Sequence, residues 1–205
     1  MYGWQMMERA VAQRVIGIVR TPDLESAVAA TTTLINAGLQ SVEITLTNPA
    51  ALQAISEIRR RFPDAVVGVG SVLDSDSAVA AIRAGAQYLV SPTVSPATIA
   101  AANRYGIPAV IGTNTPTEML AALEAGASAV KLFPASSSSP KWVSDVRAAL
   151  PQLPIIPTGG VTPETAADWI AAGAVAVGLG SALTRGTPEE SASRVADLLR
   201  TLAAF

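Results

Sequence analysis

The chain has no cysteine and no histidine among its 205 residues. Without cysteine there is no disulfide, no thiol nucleophile and no Cys-ligated zinc. Without histidine there is no Ser-His-Asp or Cys-His catalysis, and the usual zinc ligands are gone. Chemistry therefore falls to Lys, Asp, Glu, Tyr, Arg, Ser or Thr. Aromatics are scarce at 4%, whereas hydrophobic residues make up 50%; the core must be built from Ala, Val, Ile and Leu. The net charge of −2 with no basic block argues against nucleic acid or an anionic membrane as partner. No apolar run reaches spanning length, and Glu8, Arg9 and Arg14 interrupt the first stretch. Neither a signal peptide nor an anchor is expected, and the protein is expected to be cytoplasmic. The length suits one domain over residues 1–205.

Lysine is nearly absent too: only Lys131 and Lys141 occur, and the other basic residues are arginines. Lys131 sits in the short apolar run Ala129-Val130-Lys131-Leu132-Phe133-Pro134. Burying a lysine strips water from its ammonium form and lowers its pKa. A free amine attacks ketones. The plain alternative is a packed stem with its head in water.

Short β-branched runs alternate with stretches of helical spacing along the whole chain. Strands are predicted at Val15–Val19, Ser41–Leu46, Val66–Gly70, Tyr88–Val90, Ala109–Ile111, around Lys131, at Pro154–Pro157 and at Ala174–Leu179. Helix starts are marked by Thr21-Pro22-Asp23, Asn48-Pro49, Ser95-Pro96, Thr115-Pro116-Thr117-Glu118, Ser139-Pro140 and Thr162-Pro163-Glu164. The loop Ser136 to Ser139 reads as flexible. Eight strands alternating with eight helices predict a (β/α)8 TIM barrel. An Ala-Gly pair precedes strands two, four, six and eight. Ala37 and Ala125 are separated by the same interval as Ala84 and Ala172, which suggests two half-barrels of similar plan. C-cap glycines explain the residues but not the equal spacing.

In this fold the active site lies at the C-terminal ends of the strands. The polar residues there include Arg20, Glu43, Ser71, Lys131, Thr158 with Gly159-Gly160, and Gly180-Ser181. Lys131 and Glu43 are the ionisable residues inside apolar strands. Both strands are even-numbered, so the two side chains can share an interior layer. They form either a structural ion pair or a catalytic couple. In the couple, Lys131 makes a Schiff base with a 2-oxo acid and Glu43 moves protons. Thr158-Gly159-Gly160 and Gly180-Ser181 follow strands seven and eight, where backbone N–H groups can cradle a phosphate; tight turns are the alternative. Arg20 can hold a carboxylate through two parallel hydrogen bonds, with Ser71 adding another. Phe133-Pro134 and Ser91-Pro92 supply apolar walls, so Phe133 and Pro92 join the substrate-binding candidates. Two other readings of these residues stay open: a phosphosugar epimerase using Lys131 and Glu43 as opposed acid and base, and a non-catalytic sensor of phosphorylated sugar acids. A metal-dependent aldolase is disfavoured without histidine.

Four segments in order resemble the 2-keto-3-deoxy-6-phosphogluconate aldolase family of class I lyases. They are Val42-Glu43-Ile44-Thr45-Leu46, Gly68-Val69-Gly70-Ser71-Val72-Leu73, Val130-Lys131-Leu132-Phe133-Pro134-Ala135 and Pro157-Thr158-Gly159-Gly160-Val161. The resemblance implies that Lys131 forms the imine and Glu43 is the acid/base. It implies that Thr158, Gly159, Gly160 and Ser181 hold the phosphate of a phosphorylated keto acid, with pyruvate as a product. It further implies a homotrimer with no metal and no cofactor. Two departures stand out. Gluconate-type members carry an arginine where Thr47 stands, whereas here Arg20 ends strand one, an arrangement similar to the 6-phosphogalactonate branch. Ser71 replaces a threonine.

Overall fold

A computed structural model describes residues 2–205. Eight parallel strands run β1 Val15–Val19, β2 Ser41–Thr45, β3 Val66–Gly70, β4 Leu89–Ser91, β5 Ala109–Thr113, β6 Ala129–Leu132, β7 Ile155–Pro157 and β8 Val177–Leu179. Consecutive strands pair side by side and β8 returns to β1. A parallel bridge from Thr158 to Gly178 joins the last two strands and closes the barrel. Every strand residue is buried, as a sheet covered on both faces requires.

The helices are α1 Gly3–Val11, α2 Leu24–Asn36, α3 Ala51–Arg61, α4 Ser75–Arg83, α5 Pro96–Arg104, α6 Pro116–Glu124, α7 Pro140–Ala149, α8 Ala166–Ala171, α9 Ser181–Thr184 and α10 Pro188–Leu202. The expected eight are joined by α1 and α9. Outward strand residues such as Val42, Ile44, Val67, Val69, Val130 and Leu132 pack against the helices in one large core. Alternate residues point inward, where Ile16, Val66, Val110, Ala129, Ile156 and Ala176 meet Met6 and Ala10 of α1. The N-terminal end of the barrel is thus plugged by α1. This nine-residue helix lacks a side-chain hydrogen bond from its N-cap, Tyr2, so no Ser, Thr, Asp or Asn announces it.

The four Ala-Gly pairs adopt one geometry. Gly38, Gly85, Gly126 and Gly173 have φ between 98° and 105°. In each case the following N–H reaches back five residues, as in Leu39 to Leu34 and Ala86 to Ala81, both 3.1 or 3.0 Å. These are Schellman ends, which settle each αβ turn the same way.

Several boundaries differ from expectation. Asn48 does not cap α3. It is buried, and its amide nitrogen donates to the Asp23 carbonyl at 2.7 Å while its oxygen accepts from the Ala50 N–H at 2.8 Å. It staples two top-side turns, and α3 starts at Ala51. Thr162 to Thr165 forms a hydrogen-bonded turn, so α8 begins only at Ala166. β8 begins at Val177, three residues later than predicted. The serine-rich loop is not an unstructured run: Ala135–Ser137 forms a 3-10 turn. The Ala135 and Ser136 N–H groups donate to the carbonyls of Thr158 and Gly159, both at 2.8 Å. Among the described residues no helix is long and apolar enough to cross a membrane.

Candidate active site

Parity along the strands decides what faces inward. Lys131 shares the face of Ala129, and Glu43 that of Ser41, so both enter the barrel near its C-terminal end. Lys131 is 6% exposed and Glu43 is 3% exposed. The lysine Nζ lies 5.0 Å from the centroid of the Phe133 ring, a cation–π distance. Glu43 lies across β3, where Gly70 makes room: a Cβ at that position would stand 1.7 Å from Glu43 Oε1. None of the described residues hydrogen-bonds the Glu43 carboxylate. Burial pushes its pKa above the ordinary range, and the charges of Lys131 and then Arg20 pull it partly back. The Lys131 charge thus acts on Glu43 inside the barrel, as two inward residues on even-numbered strands can.

Beneath this couple lies a polar pair that sequence reasoning missed. The Tyr88 ring occupies the space left free by Gly68, with ring carbons 2.3 Å from where a Cβ would be. Ser41 donates to the Tyr88 hydroxyl at 3.3 Å. Burial, then the nearby Glu43 charge, holds the phenol pKa well above its usual value, so it stays neutral.

Arg20 projects from the end of β1 and is exposed. Its Nη1 donates to Thr47 Oγ1 at 3.5 Å, and Thr47 is 2.8 Å from Thr45 Oγ1. The guanidinium thus reaches the position from which gluconate-type members would present their own arginine. Ser71 follows β3 with φ 60°, the left-handed region that a serine rarely adopts. The Pro92 carbonyl lies over Gly112, 2.2 Å from a would-be Cβ.

A cavity of about 470 Å³ opens at this end of the barrel. Arg20, Lys131, Phe133, Thr158, Gly159, Gly160, Gly180 and Ser181 all line it, as expected from sequence. Glu43, Ser71 and Pro92 do not; Glu43 lies within β2, and Ser71 and Pro92 directly follow β3 and β4. Ile18, Thr162, Thr184 and Arg185 also line the cavity and were not foreseen. The charged lining residues are three cations, Arg20, Lys131 and Arg185, with no carboxylate among them. The turn after β7 needs its glycines twice over. Gly159 and Gly160 have φ 83° and 96°, and a Cβ on Gly160 would stand 2.7 Å from Ser136 Cβ. The N–H groups of Gly160 and Val161 have no intramolecular acceptor among the described residues. They are free to bind an anion. Among the described residues no group of three or more His, Cys, Asp or Glu is placed to hold a metal.

The family model for KDPG and KHG aldolase matches residues 6–197. The chain belongs to the KDPG and KHG aldolase family. It is a lyase of the Schiff-base aldolase type. The 2-dehydro-3-deoxy-6-phosphogalactonate aldolase of Escherichia coli K12 is 40% identical over 172 residues, covering 83% of this chain and 84% of that one. The solved "Native KDPGal structure" superposes with a TM-score of 0.87 at 36% identity, covering 93% and 94%. A cube-shaped, highly porous protein cage designed by fusing symmetric oligomeric domains contains a chain with the same TM-score and identity, covering 93% of this chain and 72% of that one. Neither the epimerase nor the sensor reading gains support from these relatives.

Proposed function

We propose that this aldolase reversibly cleaves a 2-keto-3-deoxy-6-phospho sugar acid into pyruvate and glyceraldehyde 3-phosphate, with Lys131 as nucleophile and Glu43 as base. The observation that carries the reading is the buried amine opposite a buried carboxylate at the edge of a cavity lined by cations. A substrate with a carboxylate at one end and a phosphate at the other matches that charge.

The Lys131 amine attacks the C2 ketone, and loss of water gives an iminium ion. Arg20 holds the C1 carboxylate and Ser71 adds a hydroxyl. Phe133 and Pro92 wall the reacting carbons. Ionised Glu43 takes the C4 hydroxyl proton, directly or through one water. The C3–C4 bond breaks, its electrons flow into the iminium, and an enamine remains as the aldehyde leaves. Proton return to C3 and hydrolysis of the imine release pyruvate and restore Lys131. Thr158, Gly159, the free N–H group of Gly160, Gly180 and Ser181 bind the phosphate, whose anchoring aligns the bond that breaks. These steps call for no metal, because the iminium supplies the electron sink.

Borohydride reduction with pyruvate, followed by peptide mass spectrometry, tests the covalent step. A reduced pyruvate adduct on Lys131 is expected; an unmodified Lys131 would rule the imine out. The Arg20–Thr47 contact and the E. coli relative favour the galactonate epimer as the better substrate. Cleavage rates on the two C4 epimers decide it, and faster cleavage of the gluconate epimer would reverse the assignment. The symmetric oligomeric domains of the designed cage support an oligomer, and the family resemblance makes it a homotrimer. Light scattering should then give about three times the 20.9 kDa chain mass.

A further inference from the structure

Arg185 carries a charge that the reaction scheme leaves unused. It follows α9 directly, and its backbone is fixed from both sides. Its N–H donates to the Ser181 carbonyl at 3.0 Å, and its own carbonyl accepts from the Arg194 guanidinium. Its side chain, by contrast, is exposed and makes no hydrogen bond or ion pair with any described residue. It lines the same cavity as Lys131, on the side of the Gly159–Gly160 turn and Ser181. The backbone N–H groups there supply dipoles only, and α9 is four residues long. A phosphate dianion bound to them would still lack a full counter-charge. The one carboxyl that feels Arg185 is Glu164. It is held below its usual range by the Thr162 hydroxyl and its own backbone N–H, with Arg185 contributing last.

We propose that Arg185 is the specificity-determining residue for the distal phosphate, its guanidinium pairing with the dianion when substrate is bound. The inference rests on the aldolase reading above and adds a new residue to it. A guanidinium presents two parallel N–H donors to a phosphate, which a bare turn of N–H groups cannot match in charge.

The readout is the ratio of kcat/KM for the phosphorylated sugar acid to that for its unphosphorylated counterpart. Arg185→Met should lower this ratio about 10- to 100-fold, the usual loss for a charge-assisted hydrogen-bonded pair. Arg185→Lys should restore part of it. The effects should shrink as salt is added. A ratio unchanged in Arg185→Met overturns the proposal, whether both substrates hold their rates or both decline together. Pyruvate trapping on Lys131 in the unsubstituted protein is a separate readout: its failure sinks the aldolase reading, while a normal adduct with an unmoved ratio sinks only Arg185.

Discussion

The two ends of the barrel are cut from the same eight strands and obey opposite rules. At the N-terminal end the inward residues are Ile16, Val66, Val110, Ala129, Ile156 and Ala176, sealed by Met6 and Ala10 of α1. Polar atoms are few there and have partners, as Ser41 and Tyr88 do. At the C-terminal end the inward positions hold a carboxylate without a hydrogen bond, a buried amine, free N–H groups and a serine with positive φ. Each of these costs stability and none is repaid by packing. The lower half supplies folding free energy, and the upper half spends it on chemistry. Substitutions at the two ends should therefore part company, one set moving stability and the other moving rate.

The largest effect is expected at Glu43. Glu43→Gln should lower kcat about 10²- to 10⁴-fold, the usual contribution of a positioned base, while pyruvate trapping on Lys131 persists. The pH profile carries the sign. Because burial raises the Glu43 pKa above its ordinary 4.5, the basic form appears only at higher pH. The acid limb of kcat/KM should thus lie above pH 4.5 and vanish in the variant. The same shift makes a stability statement: a raised folded-state pKa favours the folded protein below pH 4.5, and that advantage is lost as pH rises through the folded value. Unaltered turnover in Glu43→Gln would remove this residue from the mechanism.

Next comes Gly70→Ala. The added methyl would fall on Glu43 Oε1, so the carboxylate must move. A displacement of that kind should cost about 10²-fold in kcat and about 1–3 kcal/mol in stability. Steady-state rates and urea denaturation read the two separately. A variant with intact kcat would mean that the carboxylate position is not critical. At the opposite end, Met6→Ala should cost about 2–4 kcal/mol and leave kcat unchanged, because no lower-layer residue touches substrate. A loss of kcat without a loss of stability would break the division between the two ends.

The contrast also explains what could be read in the sequence. Strand parity and the rule that even strands share a layer were enough to set Lys131 opposite Glu43. The Ala-Gly pairs gave the αβ turns, because a Schellman end is local chemistry. Arg185 escaped notice because nothing near it in sequence ties an arginine after a four-residue helix to a turn that follows β7; only closure of the barrel brings them together. A basic residue one helical turn past Gly180-Ser181 was the available signal. α1 was missed because its apolar face is short and its cap is a tyrosine. Asn48 looked like a helix cap since Asn-Pro so often is one; its real partners, Thr21 and Asp23, lie on another turn. Tyr88 was read only as the first residue of a strand, and the missing side chain of Gly68 makes the space its ring fills.

The smallest effect separates strain from contact at Ser71. With φ 60° the residue pays a backbone penalty that a glycine would not. Ser71→Ala keeps the Cβ and removes the hydroxyl; Ser71→Gly removes both. If the hydroxyl serves the substrate carboxylate, both variants should raise KM about 5-fold, the effect of one neutral hydrogen bond. If the conformation is strained, Ser71→Gly should be about 1 kcal/mol more stable than Ser71→Ala, since only the alanine must hold a Cβ in the left-handed region. Equal stabilities would show that the turn after β3 tolerates a side chain freely. An unchanged KM in both variants would remove Ser71 from the substrate's contacts. The two measurements are independent, so the upper end of the barrel can prove strained without being functional at this position, or functional without being strained.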